Sequence, residues 1–112
     1  MPLIKVTLGE ISKSIEDSLL SSLSKEISEL TNKPEKYVMV ISNSSQNILF
    51  GGSREDSCFI EVKSIGSIEP KTMTKRISAV VERHCSIPAE RVYIKFEDVK
   101  ASNWGWNNNT FG

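Results

Sequence analysis

Twice in this chain a helix-periodic stretch gives way to proline, two polar-biased positions and a β-rich run. The first instance is Pro34-Glu35-Lys36-Tyr37-Val38-Met39-Val40 and the second is Pro88-Ala89-Glu90-Arg91-Val92-Tyr93-Ile94, with matching offsets. Each follows the same order of segments. Residues 3–8 alternate and are β-rich, which predicts a strand. Apolar residues then recur at Ile11, Ile15, Leu19, Leu23, Ile27 and Leu30, the spacing of a helix whose wet face carries Ser, Lys and Glu. Asn32 is the expected stop, with Pro34 just beyond it. In the second half, residues 59–63 predict a strand and 64–67 a loop. Pro70 suits the first turn of a helix reaching Cys85, with Met73, Ile77, Val80, Val81 and His84 near one face. Residues 91–96 predict the closing strand. The resulting fold class is α/β: two tandem βαβ units forming one sheet, with the right-handed crossover rule placing both helices on one face.

The run at residues 37–41 is almost continuously apolar and predicts a strand buried on both faces. Residues 43–47 form a turn, and Ile48-Leu49-Phe50 a short strand or extended piece ended by Gly51-Gly52-Ser53. A sheet with both helices on one side has its other face bare, and no third helix is predicted to cover it. Self-association, sheet facing sheet across a symmetry axis, is the expected solution. It also suits a chain of 112 residues, expected to be one domain (1–112) with a modest core.

Charge narrows the function classes. Fourteen basic and 14 acidic side chains give a formal net charge of +0, against nucleic-acid binding, which calls for a basic stripe. No like-charge run suggests a membrane patch, and no stretch has the length of a membrane span. No basic-then-apolar leader is visible, so the chain is expected in the cytoplasm. Cys58 and Cys85 lack metal or redox spacing and predict free, partly buried thiols. The single histidine, His84, falls near a helix's apolar face and predicts a satisfied, half-buried side chain. No cofactor is implied by any motif.

The Met1-Pro2 start carries a chemical possibility. Methionine is trimmed when the next residue is small, and the exposed proline would present a secondary amine. An α-amino group titrates near ~7.7–8.0, and burial lowers that further by disfavouring the cation. A base poised near neutrality suits proton abstraction.

Met1-Pro2, Asn32-Lys33-Pro34, Tyr37-Val38-Met39, Phe50-Gly51-Gly52-Ser53, Ser64-Ile65-Gly66, Arg91-Val92-Tyr93-Ile94 and Gly105-Trp106-Asn107-Asn108-Asn109-Thr110-Phe111 stand in one register along the full chain. In this order they resemble the macrophage migration inhibitory factor family of the tautomerase superfamily. The resemblance implies a homotrimer whose sheets wrap a channel, with active sites at subunit interfaces. It also implies cofactor-independent keto–enol tautomerisation of a phenylpyruvate-like acid or a dopachrome-like substrate, an intramolecular oxidoreductase. Pro2 is then the catalytic base. Lys33 is the substrate-binding lysine, whose charge also depresses the Pro2 amine. Ser64 and Ile65 supply the loop that contacts substrate through backbone, and Tyr93 reaches the pocket from a neighbouring subunit. Lys95 stands where the family usually has a substrate-binding asparagine, which puts substrate preference in doubt. Tyr37, Trp104, Trp106 and Phe111 are implied aromatic residues at the pocket rim, with Trp104 larger than the aliphatic residue often found there. The alternative reading is a leaderless secreted, cytokine-like protein that binds a cell-surface receptor, its tautomerase site secondary or vestigial. The family's Cys-x-x-Cys pair does not carry over, since the region holds Cys58 alone.

Overall fold

The computed structural model describes all residues, Met1–Gly112. Strand β1 (Leu3–Leu8) turns Ile4, Val6 and Leu8 inward. Helix α1 (Lys13–Thr31) starts two residues later than the apolar period suggests, because Ser12 takes the N-cap and its hydroxyl accepts the Ile15 N–H at 3.2 Å. Its end is as expected. Asn32 adopts the left-handed conformation (φ 55°), and its N–H and that of Lys33 close on carbonyls of the last turn. A single 3-10 turn at Glu35–Tyr37 leads into β2 (Met39–Asn43). The second unit follows with β3 (Cys58–Ser64), α2 (Pro70–Cys85) and β4 (Val92–Asp98). Pro70 occupies the first turn of α2, where its missing N–H costs nothing.

The sheet order is β2-β1-β3-β4. Each unit pairs its own strands in parallel, and the two units join antiparallel through β1 and β3, with Leu8 opposite Cys58 and Leu3 opposite Lys63. One core is built from Ile4, Val6 and Leu8 of β1, Ile60 and Val62 of β3, and the inward faces of both helices, so both helices lie on the same face. The bidentate Arg76–Glu26 pair and a 2.8 Å hydrogen bond between Ser22 Oγ and His84 Nε2 tie α1 to α2. His84 is thus half-buried and satisfied, as its position predicts. No helix is long and apolar enough to cross a membrane.

Two sequence expectations need correction, and one element was not foreseen. The run at 37–41 is not buried on both faces: Tyr37 and Val38 precede the strand, while Met39 and Ile41 are 60% and 39% exposed. Strand β2 is an edge strand, and alternation turns these side chains onto the sheet face that the helices leave uncovered. Of the short strand or extended piece expected at Ile48-Leu49-Phe50, the strand does not form within the subunit. The chain there makes one bridge, Phe50 with Ser53, across Gly51 and Gly52 (φ 60° and 75°), while Leu49 projects into solvent. The chain end also folds, which the pattern did not foretell. A 3-10 turn at Ala101–Asn103 precedes a small hairpin of β5 (Gly105–Trp106) and β6 (Asn109–Thr110). Asn107 and Asn108 turn it with φ of 52° and 65°, values asparagine tolerates.

Candidate functional site

Pro2 is buried at the head of β1, and its carbonyl accepts the Met39 N–H at 3.0 Å. The β1–β2 ladder therefore fixes the second residue as firmly as the strand proper. A cavity of about 370 Å³ opens beside it, lined chiefly by apolar side chains. Its far wall comes from the C-terminal hairpin. The Trp106 ring meets Tyr37 edge-on (centroids 5.7 Å apart, 84°) and stacks on Phe111 (5.7 Å, 7°). The Phe111 N–H donates to the Trp104 carbonyl at 3.1 Å, which anchors the last residues over the cavity. Pro2, Tyr37, Trp104, Trp106 and Phe111, distant in sequence, thus share one apolar, aromatic chamber. Aromatic walls of this kind suit a flat guest.

The α-amino group beside this cavity belongs to Met1. Partial burial, followed by the charge of Lys33, holds it below its ordinary value. Lys33 itself lines a separate surface groove with Lys25, Asn32 and Pro34, so it acts on the amino terminus by its field rather than by lining the chamber. Ser64 comes near Pro2 from the β3 side, and neither it nor Ile65 lines the cavity. Since Leu3 faces Lys63, the register continued by one residue sets Pro2 opposite Ser64. Ser64 is fully buried and its hydroxyl has no partner.

Asp98 organises the loop that follows. Its carboxylate accepts the Gly66 N–H at 2.9 Å, and the Val99 N–H closes on the Ser64 carbonyl at 2.8 Å. Gly66 adopts φ 71°, a conformation glycine reaches without strain. Sequence reasoning did not single out Asp98. Nor did it single out Lys36, which lines the chamber with its Nζ 5.1 Å from the Tyr37 ring centroid. Its place one residue before Tyr37 was the available clue.

Tyr93 and Lys95 are not brought to Pro2 within the subunit. Tyr93 faces Phe59 at the opposite end of the sheet, 64% exposed, and packs on Phe50 at 4.6 Å between centroids. Lys95 faces Glu61 on the uncovered sheet face. Burial, with a smaller contribution from Cys85, pushes the Cys58 thiol up to about 12, and burial followed by Asp56 raises Cys85 as well. Both thiols are free and stay protonated near neutrality.

The sequence model of the macrophage migration inhibitory factor family matches residues 1–112. Among curated relatives, macrophage migration inhibitory factor of Xenopus laevis is 34% identical over 99% of both chains, and the Brugia malayi homolog is 31% identical over the whole of both. Among solved structures, the homologue from Prochlorococcus marinus superposes with a TM-score of 0.92 at 40% identity, covering 98% of this chain and 99% of that one. The Trichinella spiralis protein superposes at 0.91 with 29% identity, covering 97% and 99%.

Proposed function

Because the chain belongs to the macrophage migration inhibitory factor family, we propose that it is a cofactor-independent keto–enol tautomerase in which Pro2, freed of Met1, is the general base. The observation that carries this reading is the seat of Pro2. It is buried against an aromatic chamber, beside an amino group whose pKa burial and then the charge of Lys33 hold below its ordinary value.

The chemistry follows from that seat. The neutral secondary amine removes a proton from the carbon next to the substrate carbonyl. The C–H electron pair becomes the C=C bond, and the carbonyl π pair moves onto oxygen, which takes up a proton as the enol; the reverse sequence regenerates the ketone. Nothing is oxidised or reduced overall, so the step needs no redox partner. The proline ring limits rotation of the nitrogen lone pair. Substrates of the phenylpyruvate or dopachrome type fit the aromatic walls.

Tyr93 and Lys95 join the site in this reading only from a neighbouring subunit, since both stand on surface that their own subunit leaves bare. The homotrimer is accordingly part of the proposal. The test combines intact mass, which reports whether Met1 is removed, with hydroxyphenylpyruvate tautomerisation by wild type, Pro2→Gly and an N-terminally extended form. Loss of at least about 100-fold in both altered proteins is expected for a general base and its blocked counterpart. Equal rates in all three would end the reading.

A further inference from the structure

We propose that a polar cleft at the Leu8 end of β1 is a second ligand site, which takes a free cationic α-amino acid of the arginine or lysine kind. It stands apart from the chamber: the two share no lining residue and lie at opposite ends of β1. The cleft holds about 240 Å³, room for a guest of amino-acid size. Its walls run from Gly9, through the turn after β2, to residues 54–57 ahead of β3. Main-chain bonds hold those walls from behind. The Gly9 and Leu8 carbonyls accept the Ser45 and Gln46 N–H groups at 3.0 Å, and the Glu55 and Asp56 carbonyls are taken by Arg91.

Two independent observations point to a guest. Ser57 lines the cleft and is 4% exposed, and its hydroxyl has no partner within the protein. A buried hydroxyl left unpaired costs stability, which a bound donor or acceptor would recover. Arg54, Glu55 and Asp56 line the same cleft, yet none of the three forms an ion pair, even with one another. Count and kind then define the guest. One guanidinium and two carboxylates complement a molecule with one carboxylate and two cationic groups, the charge pattern of a basic α-amino acid. Arg54 takes the guest carboxylate in a forked pair, and the two acidic side chains take the ammonium and the side-chain cation. Gln46 spends its amide N–H groups on Asn43 and Ser44 at 3.1 Å, so its side-chain oxygen is the end left to accept from the guest. No aromatic side chain lines the cleft, so a nucleobase would have no ring to stack on. The three charged side chains are exposed, so each pairing is screened and affinity is expected in the millimolar range.

The experiment follows the backbone amides of the full-length, nitrogen-labelled protein by NMR as L-arginine is added to about 10 mM. Shifts are expected at Gly9, Gln46 and Ser57, and not at Leu3, Gly105 or Phe111. Agmatine, which lacks the carboxylate, and citrulline, which lacks the side-chain cation, should each bind about fivefold more weakly. Arg54→Gln should bring arginine and agmatine to equal affinity. Ser57→Ala should weaken arginine binding about threefold without lowering the Tm of the free protein, since the deleted hydroxyl has no internal bond to lose. The opposite pair of results, a lowered Tm with unchanged affinity, would make Ser57 purely structural and overturn the proposal. So would an absence of shifts at Gly9 and Ser57, shifts confined to the chamber, or an arginine affinity that Arg54→Gln leaves as in wild type.

Discussion

Arg91 closes the segment between β2 and β3, and its removal should open that segment without dissolving the fold. Its guanidinium donates to four main-chain carbonyls: Nε to Asp56 at 3.2 Å, Nη1 to Phe50 at 3.1 Å, and Nη2 to Glu55 at 2.8 Å and to Ser53 at 3.4 Å. Its Cζ also lies 4.9 Å from the Phe50 ring centroid. Residues 50–56 hold little regular structure of their own, so these contacts are most of what keeps them in place. Water reaches part of the arrangement and would recover some of each lost bond. At roughly 0.8 kcal/mol net for each bond, Arg91→Met should cost about 3 kcal/mol against opening. That corresponds to about a 100-fold rise in the open population. Arg54 lies within the segment, so trypsin reports the opening directly, and the substitution removes the competing site at position 91. Cleavage after Arg54, followed by mass spectrometry at protease levels where reclosing outpaces cutting, should accelerate by about that factor. Arg91→Lys should recover less than half of the protection, because an ammonium cannot span carbonyls that the planar fork reaches together. A cleavage rate in Arg91→Met within about threefold of wild type would refute the assignment, given the expected effect.

Other consequences are equally direct. Lys33→Ala removes a charge that lowers the amino-terminal pKa, so the acid limb of the kcat/KM profile should move to higher pH; an unmoved limb would show that burial alone sets the amine. Cys58 keeps its proton in the folded protein up to about 12 against an ordinary 9.0, whereas the unfolded chain loses it near 9.0. The unfolded state thus binds fewer protons in that window, and stability falls as pH rises through it. Between about pH 8 and about pH 10, wild type should lose about 1.4 kcal/mol more than Cys58→Ala in urea unfolding, and parallel losses would contradict the burial of the thiol. Leu23→Ala deletes a fully buried core side chain between helix and sheet and should cost about 3–5 kcal/mol by the same assay, a loss under about 1 kcal/mol being incompatible with the packing.

Local chemistry was legible where one side chain decides one backbone. Asn32 ended α1, Pro70 opened α2, and the apolar period of Leu19, Leu23 and Ile27 named the face that the sheet covers. Partner-dependent features were not. Met39 and Ile41 look like core residues in sequence because they are apolar, yet their burial depends on a surface outside the subunit. Leu49 is apolar too, yet it stands exposed on a segment without a strand partner in the subunit. The hairpin had a local signal in Asn107-Asn108, which tolerate positive φ, but its strands are too short to show alternation. At the site, resemblance named residues that the fold gathers around Pro2. Lys36 and Asp98 escaped because their roles come from spatial neighbours, Tyr37 and Gly66, and not from any spacing.

The antiparallel join of β1 to β3 makes the subunit nearly two-fold symmetric within itself, with the second unit running head-down beside the first. Pro34 and Tyr37 in one half then correspond to Pro88 and Arg91 in the other. At the first end an aromatic ring borders a vacancy; at the second a guanidinium has been stoppered by the chain's own carbonyls. A duplicated scaffold thereby carries its aromatic chamber at one end and a polar cleft at the other, and carving a second chamber there would begin with Arg91.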